Sequence, residues 1–231
     1  MRISHFSVFL HLFWFSLLFT GLLSCKGPEA GPPEDPKNIM AEYLDSETYV
    51  FDCESGRTFT VRIEGNTAIL FLPDNPVRLP RIESASGAKY SDGKILFWSK
   101  GDTARIQLHS RTYRNCLENP GRSRWAHARL NGVDFRAVGN EPGWYLEITG
   151  GGETVFVTDY GQSEYHFTTP EPEVDREAGR SEYLMENNNR QMKVILEGKW
   201  CRDNATGEQF ETTVTVRIDG RVFHGCGRVL N

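Results

Sequence analysis

No two cysteines of this 231-residue chain stand in a Cys-x-x-Cys spacing, so the commonest sequence sign of a zinc site is missing and no metal or other cofactor is expected. Helical periodicity is missing too. From Tyr49 to His109 the apolar residues follow a period of two and never settle into spacings of three and four. A large excess of either charge is also absent: 26 Lys and Arg stand against 31 Asp and Glu, for a formal net charge of −5. The acidity lies late in the chain. Residues 43 to 116 hold 10 positive and 9 negative side chains, whereas 117 to 231 hold 13 and 18. The first of these halves has little field with which to steer a charged partner from a distance, so local complementarity must carry any binding there.

What is present begins with an export signal. Met1 to Ser24 has one positive charge, Arg2, and then an apolar run from Phe6 to Leu23. It ends in Leu22-Leu23-Ser24-Cys25, which resembles a bacterial lipoprotein cleavage box with Cys25 as the acylated residue. Acyl chains on Cys25 would hold the chain to a membrane. Lys26, a residue other than Asp after the acylated cysteine, implies by the same resemblance the periplasmic face of the outer membrane. Residues 25–43, rich in Pro, Gly and acid, cannot bury a core and read as a tether.

With Cys25 set aside for lipid, four cysteines remain. Export exposes them to an oxidising compartment, so pairing is expected, Cys53 with Cys116 and Cys201 with Cys226. The first pair brackets a run of short strands. Thr58 to Ile63 alternates polar with apolar, Gly65-Asn66 turns, Thr67 to Leu72 follows, and Thr103 to His109 comes last.

Between them, Ser84 to Gly101 reads as two turn regions around one strand. Ser86-Gly87 and Ser91-Asp92-Gly93 are turn chemistry, Ile95 to Trp98 is a compact apolar run, and Lys100-Gly101 turns again. A hydroxyl at Ser86 and an ammonium at Lys100 thus stand near turns on opposite sides of the strand.

This stretch resembles the membrane-bound inhibitors of c-type lysozyme, small β-barrel domains with an SGxxY motif followed by YxxxKG. Ser86-Gly87-Ala88-Lys89-Tyr90 matches the first motif, and Lys100-Gly101 matches the end of the second, with Leu96 where the motif has tyrosine. The resemblance runs from about Tyr49 to Cys116. It implies that Ser86, Gly87, Tyr90, Lys100 and Gly101 form two loops, and that Ser86 and Lys100 contact the catalytic carboxylates in the lysozyme cleft.

Residues 118–132 are polar and read as a linker with one helical turn. Trp125 among three arginines is a packed tryptophan at a boundary, and no nucleic-acid partner is expected of an exported chain. Residues 133–231 form a second β-rich unit, with alternating runs at Thr154 to Thr158, Met192 to Trp200 and Phe210 to Ile218, and a Pro/Glu-rich loop from Thr168 to Ser181. This unit resembles an uncharacterised bacterial envelope family with a GNEPGW-like opening at Gly139 to Trp144, a middle part carried by Cys201, Asp203, Gly207 and Phe210, and a GCGR-like end at Gly225 to Arg228. Glu141, His166, Asp203 and His224 are its available chemistry. His224 and Cys226, two apart on one strand, share a face, but the expected bridge to Cys201 removes the thiolate that a nucleophile needs.

The expectation is therefore an all-β protein: a small antiparallel barrel over 44–117 and a second β-rich domain. Its partner would be a c-type lysozyme, its membrane contact an N-terminal lipid, and it would have no catalytic residues of its own. The alternatives are an envelope adaptor that keeps the fold without inhibiting, and a hydrolase in the second unit.

Overall fold

A computed structural model describes residues 46–187 and 190–231. The export signal over 1–24, Cys25 and the tether lie outside the described residues.

Alternation in the sequence becomes alternation across a sheet wall. Eight antiparallel strands close into a barrel: β1 (Glu47–Cys53), β2 (Thr58–Glu64), β3 (Thr67–Phe71), β4 (Val77–Ile82), β5 (Ala88–Ser91), β6 (Ile95–Lys100), β7 (Thr103–Leu108) and β8 (Arg111–Glu118). In β6, Ile95 and Phe97 point inward and are buried, whereas Leu96 and Trp98 face outward. Phe51, Phe97, Leu70, Leu79 and Ile106 fill the interior, each worth about 1.5–3 kcal/mol of apolar burial. Closure falls between β1 and β8, and there Cys53 and Cys116 stand directly opposite and are bonded. Their sequence separation of 63 residues makes the bridge worth about 4 kcal/mol on the chain-entropy model.

The segment expected as a linker with one helical turn is instead an eleven-residue helix, α1 (Pro120–Leu130). Asn119 caps it by accepting from the Arg122 N–H at 3.1 Å, and Pro120 takes the first position, where its missing N–H loses nothing. An apolar stripe never announced it, because its buried residues are the small Ser123 and Ala128. Ser123 accepts the Val50 N–H at 2.9 Å, and Arg62 donates to the Leu130 carbonyl at 3.1 Å, so α1 lies on the barrel wall. On its other side Trp125 packs against Phe210 at 5.4 Å, with the Arg136 and Arg228 guanidinium groups over its ring.

Beyond α1 come β9 (Phe135–Asn140), β10 (Gly143–Ile148), β11 (Glu153–Thr158), β12 (Ser163–Thr168), β13 (Glu173–Asp175), β14 (Arg180–Asn187), β15 (Arg190–Glu197), β16 (Cys201–Arg202), β17 (Gln209–Phe210), β18 (Thr212–Ile218) and β19 (Arg221–Val229). Nine of them form one curled sheet in the order β12-β11-β10-β9-β19-β18-β15-β14-β13, and β16 and β17 make a separate flap. The Pro/Glu-rich loop thus contains a strand, β13, paired with β14, because Glu173 to Asp175 meets Arg180 to Glu182 across the turn. Phe156, Phe223, Leu146 and Met192 line the inner face. Cys201 and Cys226 are bonded and hold the flap to β19. Among the described residues both halves are all-β apart from α1 and one short turn of 3-10 helix.

Candidate functional site

Strand pairing decides where the two motif loops go. Ala88 pairs with Ser99, and Lys100 pairs with Thr103. The loop entering β5 therefore lies against the turn leaving β6, and Ser86 and Lys100 share one end of the barrel. The expectation of opposite sides held only along the sequence. At the other end of β6 stands the Ser91–Gly93 turn, where Asp92 accepts the N–H groups of Ile95 and Lys94 at 2.7 and 2.8 Å. Those bonds hold its carboxyl below the usual carboxylate range.

Close approach makes Gly87 obligatory. Its φ is +71°, and a Cβ there would overlap the Ser99 carbonyl oxygen and stand 3.1 Å from Lys100 Cβ. Gly101 is required by conformation alone, since its φ is +60° and nothing lies near a Cβ built on it. The Ser86 carbonyl is held twice, by the Ser84 hydroxyl at 2.6 Å and by the Trp98 indole N–H at 2.9 Å. On the other loop Thr103 donates to the Lys100 carbonyl at 2.9 Å. The Ser86 and Lys100 side chains are both exposed.

Tyr90 has a different place from the other motif residues. It is 2% exposed, its ring stacks on Phe97 at 6.0 Å, and it anchors β5 in the barrel rather than facing a partner. Leu96, where the motif has tyrosine, lies on the outward row of β6 two residues from Trp98. Sequence reading missed Trp98 as the support of the Ser86 loop. Its signal was an aromatic on the outward row between two turn motifs. Also missed were Arg105 and Arg114, which line a groove with Lys100, Trp98 and Asn115. These cations supply locally what the near-neutral charge of the barrel sequence does not.

Residues 51–115 match the family described as membrane-bound lysozyme inhibitor of c-type lysozyme. The protein of that name from Escherichia coli (strain K12) is 36% identical over 89 residues, covering 37% of this chain and 81% of that protein. The chain belongs to this family. A lysozyme inhibitor of the same name from Pseudomonas aeruginosa is 31% identical over 98 residues, 37% of this chain and 74% of the relative. The Yersinia enterocolitica lysozyme inhibitor is 39% identical over 64 residues, 27% and 54% of the two lengths. No solved structure matches the chain. The family match takes in both loops and stops before α1, so it leaves the second sheet uncharacterised.

The motif glycines of that sheet answer to packing. A Cβ on Gly225 would stand 2.6 Å from the Trp144 ring, one on Gly139 would stand 2.7 Å from the His224 carbonyl oxygen, and one on Gly227 would stand 2.5 Å from Phe135. Asp203 is 6% exposed and links the flap to the opening motif. Burial opposes its charge most strongly, but bonds from Thr206 and Asn140 outweigh that and lower its pKa. His166 sits exposed between Glu153 and Glu164, and His224 bonds to Thr215. With its sulfur bonded to Cys201, Cys226 offers His224 no thiolate. Among the described residues no group of three His, Cys, Asp or Glu is placed to hold a metal ion.

Proposed function

We propose that the chain inhibits a c-type lysozyme by inserting the Ser86 loop and the Lys100 turn into the enzyme's cleft. The observation that carries this reading is that Ser86 and Lys100 stand side by side, exposed, on a barrel whose relatives are named as inhibitors of that enzyme. Glycoside hydrolysis depends on two carboxyl groups, one protonated as acid and one ionised. An ammonium between them favours both ionised forms, and a hydroxyl donates to the nearer oxygen. The loops also fill the space that the sugar must enter. Inhibition is then occlusion, and the barrel itself does no chemistry.

In the same reading residues 44–117 are the inhibitory unit, 133–231 a second unit, and 118–132 their connection. Cys25 carries lipid and holds the chain at the periplasmic face of the outer membrane, where peptidoglycan is the structure to be protected. The cleavage-box resemblance before Cys25 supports the anchor.

The deciding experiment adds the purified chain to a c-type lysozyme digesting cell walls. Slowed lysis that depends on inhibitor concentration is expected. Undiminished lysis at micromolar excess rules out inhibition and favours the adaptor reading of the barrel. For the anchor, Cys25→Ala should abolish labelling with a fatty-acid probe and release the chain from membranes; unchanged labelling would refute it.

A further inference from the structure

The outer face of the second sheet carries a groove that inhibition does not use. It crosses β9 and β19 beside the flap, and Asn140, Glu141, Asn204 and His224 offer polar groups along it. Its floor is the backbone of Gly139 and Gly225, pinned from beneath by Trp144. Val222, 49% exposed, forms one wall.

Tyr160, 77% exposed, is not part of that lining but stands next to it on the Asn140 side. Asp159 and Tyr160 both take positive φ, 54° and 57°, a conformation that costs about 1–2 kcal/mol for each L-residue. Two contacts hold them there. Arg221 grips both Asp159 oxygens at 2.8 Å, and the Tyr160 ring lies on Gly143, where a Cβ would stand 2.7 Å from Cδ1. The Tyr160 hydroxyl reaches to 3.5 Å from the Asn140 carbonyl, which sets the ring beside the groove. Burial does not explain this arrangement, because most of the ring stays in water. Strained residues that present a side chain to solvent belong to the class found at ligand sites.

The lining chooses the ligand. A drug-like apolar molecule needs an enclosed, mostly apolar pocket, whereas this groove is open and mixes Val138 and Val222 with polar side chains. A polyanion needs several cations, and among the described residues that line the groove Arg202 is the one Lys or Arg. A sugar ring fits both features: its C–H face stacks on an aromatic, and its hydroxyls donate to and accept from amide, carboxylate and imidazole groups. We propose that this groove binds a saccharide chain, with Tyr160 as the stacking platform and Glu141, Asn204 and His224 as hydroxyl partners. The second unit would then bring the inhibitor to glycan.

The test titrates the full chain, solubilised, with chitohexaose and separately with maltohexaose, read by saturation-transfer NMR. Transfer to ring protons with a Kd below about 1 mM is expected for at least one. Transfer from chitohexaose alone assigns an N-acetylated sugar, and transfer from both assigns the pyranose ring itself. Tyr160→Ala should weaken binding about tenfold or more, whereas Tyr160→Phe stays within about threefold. Val222→Arg, at an exposed position that tolerates it, should fill the groove and weaken binding as much. Lys100→Ala should leave glycan binding unchanged, which separates this site from the inhibitory loops. No transfer from either glycan at about 10 mM, or equal binding by the parent, Tyr160→Ala and Val222→Arg, overturns the proposal.

Discussion

Trp98 donates its indole N–H to the Ser86 carbonyl oxygen at 2.9 Å, so the strand that ends in Lys100 also holds the loop that carries Ser86. One side chain thereby sets the spacing of the two groups that are proposed to meet the lysozyme carboxylates. The ring of Trp98 in turn lies under the Lys89 ammonium, 5.9 Å from its centroid. The two motifs are a single mechanical unit.

Trp98→Phe keeps an aromatic ring on the outward row, though a smaller one, and removes the donor. A hydrogen bond of this kind is worth about 0.5–1.5 kcal/mol, so inhibition should weaken about two- to tenfold with little change in melting temperature. Inhibition constants for parent and variant check this. An unchanged constant would show that Ser84 alone fixes the loop.

The two motif glycines should separate. Gly101→Ala meets only the left-handed backbone, a cost of about 1–2 kcal/mol. Gly87→Ala meets that cost and a clash with the Ser99 carbonyl, so the loop must move away from Lys100. Denaturant unfolding should therefore find Gly87→Ala the less stable of the two, and inhibition should fall further for it. Equal losses would mean that the hairpin end is more pliant than its contacts imply.

Acid should loosen the packing of α1. Burial first, then the charges of Arg62 and Arg136, lower the pKa of His127 from its ordinary 6.5. Asn131 Nδ2 stands 2.8 Å from its Nε2, and an amide N–H only donates, so Nε2 is the acceptor and is unprotonated. The folded state thus binds this proton less readily than the unfolded chain. Stability is full above the unfolded pKa and falls as pH drops below it. Melting temperatures recorded on both sides of pH 6.5 should show that decline, and His127→Gln should lessen it. An identical slope in the variant would exonerate His127.

The barrel was legible where strands alternate in the sequence, as Thr58 to Ile63 does. Ile95 to Trp98 reads as one apolar run, and only its burial alternates, with Ile95 and Phe97 in the same core. The paired cysteines were legible from parity and compartment. By contrast, α1 was not, since a helix that buries Ser123 and Ala128 leaves no apolar period to read. Nor was the meeting of Ser86 with Lys100, which depends on the register of Ala88 with Ser99 and not on any residue type. Strand Glu173–Asp175 was hidden for a related reason, because its three residues are all exposed. Motif likeness found Tyr90, but only burial distinguishes that anchor from the contact groups beside it.

The strongest claim on the proposed mechanism is an order of effects at Lys100, Ser86 and Lys89. Lysozyme chemistry needs one carboxyl protonated and one ionised, and a desolvated ammonium between them disturbs that division. Truncating Lys100 would strand a carboxylate in the interface, a loss of about 2–5 kcal/mol, which is about 30-fold to several-thousand-fold in affinity. Ser86 gives a neutral donor to a charged acceptor, so Ser86→Ala should lose about 1.5–3 kcal/mol of binding. Lys89 faces the Trp98 ring instead of the proposed cleft, and an exposed cation–π contact is worth about 0.5–1 kcal/mol. Its removal should act only through the support of Trp98 and should be the mildest of the three. Inhibition constants for the three alanine variants, each confirmed folded by circular dichroism, measure the order directly. If Lys100→Ala inhibits as well as the parent, the two loops do not enter the cleft, and the barrel meets its partner by another face.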